Sequence, residues 1–474
     1  MRHLPAVLIA AALCGVYAPT LESGGMLMWD EAEYATIGRS IVRGEGFAIG
    51  GEPNRLRPPL VPLAAAAAIA LTGRADDEVL RAPKLAFAAL ALLAVYGGTA
   101  AAHGRTAGLI ALVLLGVAPG FWLATPLFLS ELPFLAFFFG AIVTFALGLH
   151  GSPRYFTLAW LLWGLAFLTR YTALLFAPAA VVSLALAIAM AARRVPLTTL
   201  LRSRAFLLGP LIGLAIVAPW MLRQQIAFGD ALVGVREAST QLQLFMPDVS
   251  MPWYFYLVRL PAVLSPGIAL AALAGLVWAI RARDGFGLHC AATSGVLLVW
   301  FSGYRFKEDR QILALLPLAA SLAALGLTKL WPFSDRLAHR AVVLTTVVGL
   351  SIVTVRPMLG TQVTLGYPSF LDGMRWLRTH SAPDATVLGA SPAQISWYAD
   401  RRVETFPGEP ALPQALGRTT WTVVTNFERG QPRYAADLAA RVPPSAAQAG
   451  DAASFADSRF ATTIIRSSIL IEHP

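Results

Sequence analysis

The chain has 474 residues, 57% hydrophobic and only 14% charged, with a formal net charge of +10 and a mean hydropathy of +0.62. A soluble protein of this length would divide into about three domains. Here apolar stretches recur instead, each near the roughly 20 residues that a helix needs to cross a bilayer, so a polytopic α-helical membrane protein is expected and a soluble enzyme is excluded. The positive charge is almost all arginine, with lysine only at Lys84, Lys307 and Lys329. No basic stripe interleaved with aromatics lies outside the apolar segments, so the charge points to cytoplasmic loops and anionic lipid phosphates and not to nucleic acid. Cys14 and Cys290 both fall in apolar spans, which argues against a disulfide framework.

The first apolar run follows Met1-Arg2-His3 and reaches Tyr17-Ala18. A cleaved signal peptide has the same form; an uncleaved first helix is preferred, because the next segment looks built to stay close to the membrane. Basic residues accumulate on the cytoplasmic side, which places three clusters there: Arg193-Arg194 with Arg202 and Arg204, Arg281 with Arg283, and Lys329 with Arg336 and Arg340. Working outward from them predicts spans near 4–20, 82–102, 107–124, 130–149, 155–171, 172–192, 205–222, 259–280, 287–302, 311–328 and 341–356, about eleven helices. The N-terminus is then inside and the last helix ends outside. Leu60 to Thr72 is short for a span, and counting it as one would put the basic clusters outside. Residues 21–81 are therefore read as one outer loop carrying helices that lie along the membrane surface.

That loop holds Met28-Trp29-Asp30-Glu31-Ala32-Glu33-Tyr34. A carboxylate pair at the edge of a span is a candidate functional site, since burying an unpaired carboxylate there is costly; a solvated loop is the alternative. On a helix, Asp30 and Tyr34 share a face one turn apart. Further on, Asn54-Arg55-Leu56-Arg57-Pro58-Pro59-Leu60 places Arg57 at the lip of a surface helix. Glu131, in Leu129-Ser130-Glu131-Leu132-Pro133, is the only acidic residue between Glu78 and Asp230, and it stands at a helix start where capping would also favour it. Arg170, after Leu168-Thr169, stands at an outer helix end, uncommon for arginine unless it meets an anion or snorkels to headgroups.

Residues 223–258 form a long polar connection ending in Met251-Pro252-Trp253-Tyr254-Phe255-Tyr256, suited to a lid or substrate-binding element. The outer cluster Tyr304-Arg305-Phe306-Lys307-Glu308-Asp309-Arg310 lies between two spans. From about Pro357 the composition becomes that of a soluble domain. Strands are expected at Thr386–Leu388, Arg402–Phe406, Trp421–Val424 and Ser468–Ile471, and helices at Arg375–Thr379, Gln394–Tyr398 and Tyr434–Arg441. The organisation is thus an all-α transmembrane domain, 1–356, followed by a small α/β extracytoplasmic domain, 357–474.

Taken together, Asp30-Glu31-x-x-Tyr34, Arg57-Pro58-Pro59, Ser130-Glu131, Leu168-Thr169-Arg170, Trp253-Tyr254-Phe255-Tyr256 and the run from Tyr304 through Arg310 to Leu315-Leu316-Pro317 resemble the integral-membrane glycosyltransferases of the C-type fold. Among these, the motifs are similar to those of the lipid A aminoarabinose transferases and the protein O-mannosyltransferases. The motifs are scattered over roughly the first 330 residues, and their order and spacing carry the resemblance. It implies sugar transfer from a polyprenyl-phosphate-linked donor to a lipid, glycan or protein acceptor on the outer face of the cytoplasmic membrane. Within it, Asp30 is the expected base with Glu31 beside it, and Glu131 with Tyr34 would serve the acceptor or a divalent metal, whose participation is left open. Arg57 and Arg170, with Arg305 and Arg310, would face the donor phosphate. The chain departs from the pattern at Leu56, where the aminoarabinose enzyme has an acid, at Arg57 and Arg170 in place of lysines, and at Glu131 in place of an aspartate.

The residue types suit this chemistry independently. A carboxylate suffices to accept a hydroxyl proton, and a departing phosphate, already anionic, needs cations more than an acid. A transporter or flippase of an anionic lipid-linked sugar is the main rival, followed by an O-antigen ligase or a scaffold.

Overall fold

The computed structural model describes residues 2–19, 26–189, 197–244, 249–330, 337–362, 367–428 and 431–472. Arg193-Arg194, Arg336 and Asp248 lie outside them. The chain forms two compact units, one of Met1–Glu22, Arg55–Val61 and Arg81–Gly360, the other of Ser23–Asn54, Pro62–Leu80 and Thr361–Pro474.

The first unit is helical. Among the described residues, five helices are long and apolar enough to cross a membrane: Asp77–His103, Glu131–His150, Arg204–Phe228, Gly285–Ser302 and Asp309–Lys329. The expected straight span over 259–280 is instead two helices, Phe255–Leu264 and Pro266–Ala282, bent by 110°. The cause is local. Ser265 adopts φ 75 and its hydroxyl accepts from the Ile268 N–H, starting a new helix with Pro266 in its first turn. Ser351 donates to the Ser265 hydroxyl at 2.7 Å, so the break is satisfied in an apolar setting. The predicted 107–124 span likewise divides at Ala118, into Arg105–Val117 and Pro119–Ala124, since Pro119 opens a helix better than it continues one.

Glycines let some of these helices approach closely. A Cβ added at Gly275 would lie 1.9 Å from the Leu322 carbonyl oxygen, and one at Gly326 2.4 Å from that of Ala271. The helices Pro266–Ala282 and Leu315–Leu330 therefore meet backbone to backbone, as small residues allow inside membranes.

The second unit joins Ser23–Asn54 and Pro62–Leu80 to the C-terminal domain. Leu60–Thr72 is a helix of 13 residues, about 20 Å at 1.5 Å per residue, short of a hydrocarbon core of about 30 Å. A two-stranded ribbon pairs β1 (Ala48–Ile49) with β2 (Glu52–Pro53), and a second sheet holds β3 (Thr386–Gly389), β4 (Arg402–Glu404), β5 (Trp421–Thr425), β6 (Ala452–Ala456) and β7 (Ala461–Arg466), in the order β4-β3-β5-β7-β6. β3 runs parallel to β4 and β5, while β7 pairs antiparallel with β5 and β6. Neighbouring residues feed opposite cores: Val387, Val423 and Ile464 pack on one side, Leu388, Val424 and Ile465 on the other. Burial on both faces explains why these strands read as continuous apolar runs.

Ser468–Ile471, expected as a strand, lies in the helix Ser467–Glu472. β7 is already paired on both sides, with β5 and β6, and Ser467 ends it by donating its N–H to the Thr420 carbonyl at 3.0 Å. A four-residue apolar run fits either structure, and the tertiary position of Leu470 in the core decided it.

Candidate active site

In the first unit, Glu131 opens the helix Glu131–His150 after Ser130, and its side chain is 4% exposed. Arg170, between the helix Tyr155–Phe167 and the turn Tyr171–Leu175, forms an ion pair with Glu131 Oε1 and donates to Ser130 Oγ at 3.2 Å. Half-buried Arg310 lines the same small pocket as Glu131 and Arg170, together with Phe134, Thr172 and Gln311. Two clusters 140 residues apart in sequence thus meet. The charge of Arg170 also bears on Tyr304, whose phenol burial pushes above its ordinary value, against the opposing effects of the Trp300 hydrogen bond and Arg170.

Beside it, Phe255, Arg259, Lys307, Glu308, Asp309 and Arg310 line an open cleft of about 450 Å³. Arg259 binds both carboxylate oxygens of Asp309, with Nε at 2.9 and 3.2 Å, and Arg310 pairs with Glu308. Lys307, buried at its loop, donates to the carbonyls of Met251, at 3.0 Å, and Tyr304, and burial pushes its ammonium below the ordinary value. Tyr256 donates its hydroxyl to Gln311 Oε1. The Trp253–Tyr256 motif and the Tyr304–Arg310 motif are therefore one construction.

Arg57 belongs to the same unit, in a short segment held by the Leu60 N–H on the Leu168 carbonyl at 2.9 Å and by Gln224 on the Arg55 carbonyl at 2.7 Å. Its charge acts on Tyr171, next to Arg170. Arg305 is exposed and lines neither pocket; its carbonyl instead accepts from the Met251 N–H at 2.9 Å.

Asp30, Glu31 and Tyr34 belong to the second unit, on the helix Trp29–Val42. Glu31 is fully buried and accepts from the Met28 N–H at 3.0 Å, closing the helix N-terminus from within. That geometry gives Glu31 a capping task, whereas the expectation had set it beside the base. Asp30 is half-buried in the first turn of that helix; Tyr34 is buried. The helix is pinned to Pro392–Ala399: Arg39 donates to the carbonyls of Ser396 at 2.6 Å and Trp397 at 3.0 Å, and Arg43 donates to both oxygens of Asp400 at 2.8 and 3.1 Å. Trp29 Nε1 donates to Glu428 at 2.9 Å.

A divalent metal does not fit what surrounds Glu131. One carboxylate oxygen faces Arg170, Arg310 lines the same pocket, and among the described residues no group of three or more His, Cys, Asp or Glu could hold a metal ion.

Sequence reasoning passed over Arg259 and Gln311. Arg259 had a signal, a lone charge inside Phe255-Tyr256-Leu257-Val258-Arg259-Leu260. Gln311 had none, since its importance comes from neighbours distant in sequence.

Residues 56–222 match the family described as dolichyl-phosphate-mannose-protein mannosyltransferase, a stretch containing Arg57, Glu131 and Arg170. No curated protein matches the chain by sequence. Among solved structures, ArnT from Cupriavidus metallidurans bound to undecaprenyl phosphate superposes with a TM-score of 0.74 at 15% identity, over 99% of each chain. The Archaeoglobus fulgidus oligosaccharyltransferase in complex with Zn and sulfate gives 0.60 at 14%, over 88% of this chain and 67% of that one. AglB from the same organism, in complex with an inhibitory peptide and a dolichol-phosphate, gives 0.57 at 12%, over 89% and 69%. The resemblance carried by the scattered motifs is borne out in three dimensions: the chain has the C-type fold of the integral-membrane glycosyltransferases.

Proposed function

We propose that the chain transfers a sugar from a polyprenyl-phosphate-linked donor to a hydroxyl of a lipid, glycan or protein acceptor at the outer face of the cytoplasmic membrane. The observation that carries this reading is the convergence of Arg170, Arg310 and Glu131 on one pocket in a fold shared with a protein crystallised with undecaprenyl phosphate. In the reaction the acceptor oxygen bonds to the anomeric carbon, the bond from that carbon to the phosphate oxygen breaks, and polyprenyl phosphate departs. The acceptor proton passes to Asp30. Single displacement inverts the anomeric configuration. Arginines stabilise the departing phosphate through planar paired donors. Arg170 and Arg310, with Arg57, are assigned to that task; Arg305, exposed, is assigned a secondary one. Glu131 orients Arg170 and faces the acceptor side. The domain from 357 onward is assigned to acceptor recognition outside the membrane.

A transporter gains little from the architecture. A single helix pair among the described residues is sharply broken, whereas inverted-repeat carriers break corresponding helices in both halves.

The test is sugar transfer from undecaprenyl-phosphate-linked donors in proteoliposomes. Asp30→Asn keeps shape but not basicity, and should lower turnover by about 10²- to 10⁴-fold with carrier binding intact. Glu31→Gln keeps an oxygen for the Met28 N–H and should be far milder. Near-normal turnover by Asp30→Asn removes Asp30 from the mechanism. Carrier movement across the bilayer without transfer would favour the flippase.

A further inference from the structure

Two buried polar atoms in the Glu131 pocket have no hydrogen-bond partner among the described residues: Glu131 Oε2, an acceptor, and Gln311 Nε2, a donor. Their residues are 3% and 7% exposed, and both line the same small enclosure with Arg170 and Arg310. Neither atom is idle by accident of rotamer. Arg170 occupies Glu131 Oε1, which leaves Oε2 as the remaining acceptor. Tyr256 donates to Gln311 Oε1 and is itself met by the main chain of Glu308, which fixes which end of the amide faces away.

Leaving two such atoms unsatisfied is costly, and their complementarity narrows what satisfies both. A phosphate oxygen accepts from Gln311 but is repelled by the Glu131 carboxylate. An ammonium donates to Glu131 and cannot accept from the amide. A hydroxyl does both at once, and the enclosure has room for roughly one group of that size.

We infer that Glu131 and Gln311 form a paired subsite for one substrate hydroxyl, and that Gln311 is a specificity-determining residue. The inference rests on the transferase reading and deepens it. The phosphate-binding arginines beside the pair place that hydroxyl on the sugar of the donor or on the acceptor.

The experiment compares the purified full chain with Gln311→Leu, measuring dissociation constants for bare undecaprenyl phosphate and for undecaprenyl phosphates carrying a panel of hexoses and pentoses, with KM for acceptor in the transfer assay. A donor-sugar hydroxyl predicts that Gln311→Leu weakens the sugar-bearing carrier by about 10- to 100-fold and leaves the bare carrier unchanged. An acceptor hydroxyl predicts a rise of similar size in acceptor KM with both carriers unchanged. Either result supports the paired subsite and names its source. Equal losses for bare and sugar-bearing carrier, or no change in any of the three, overturn it and mark the pair as the seat of an internal water. If Gln311→Leu does not fold, Gln311→Met serves the same comparison, since it keeps the length of the side chain and removes the amide donor. Wild-type protein that binds neither carrier refutes the transferase reading and the subsite together, whereas a binding wild type with an indistinguishable variant refutes the subsite alone.

Discussion

Arg170 and Glu131 give the sharpest energetic test. Glu131 is 4% exposed and Arg170 24%, so Arg170→Met leaves a buried carboxylate facing no dedicated cation. Stripping one partner from a buried pair costs about 3–5 kcal/mol. The partial exposure of Arg170 admits water, and Arg310 lines the same pocket, which brings the expectation down to about 2–3 kcal/mol. Glu131→Leu strands the guanidinium instead, with Ser130 Oγ still accepting from it, and should cost a similar amount. The double variant removes both charges from a pocket already lined by Phe134, Leu135 and Leu313, and apolar replacement of a buried pair is often close to neutral. The cycle should therefore show a coupling of about 2–3 kcal/mol, measured by SDS unfolding of the full chain in mixed micelles. Costs that add to within about 0.5 kcal/mol would refute the ion pair as a stabilising unit. All three variants should lose transfer activity, because the double variant restores packing and not phosphate binding.

Other outcomes follow from single contacts. Gly275→Ala forces a methyl against the Leu322 carbonyl at 1.9 Å and should lower the thermal midpoint of the full chain, by about 1–3 kcal/mol in stability; an unchanged midpoint would mean that the two helices are not packed this closely. Gly38→Val meets Ala65 Cβ at 2.6 Å and should reduce activity by displacing the helix that bears Asp30, while leaving carrier binding in place. Tyr256→Phe frees the Gln311 amide to turn, so it should reproduce part of the Gln311→Leu loss and cost about 1–2 kcal/mol. Asp457 is held at about 2 by the N–H groups of Arg459 and Phe460. Its folded value lies below the unfolded one, so the stabilisation is complete above pH of about 4 and is lost as pH falls toward 2. Asp457→Asn should flatten acid unfolding in that window, followed by tryptophan fluorescence.

Much was legible in the chain because membranes impose simple rules. Length and hydropathy alone mark out the apolar helices, and the lone acids and outer arginines stand out against grease as chemistry that must be explained. Asp30, Glu131 and Arg170 were visible for that reason, and the ordered motifs sufficed to indicate the fold. Periodicity could not show the break at Ser265, since a positive φ at a serine has no sequence mark, nor could it tell the Ser467–Glu472 helix from a strand. It could not separate Glu31, a cap turned inward, from Asp30, its neighbour, because adjacent helical residues point about 100° apart and only packing determines which one is buried. The pairing of Arg170 with Glu131, and of Tyr256 with Gln311 beside them, joins residues between 39 and 55 positions apart. Polar atoms deep in a protein are satisfied or left open by whatever the fold brings within about 3 Å, and that is a property of the tertiary structure alone.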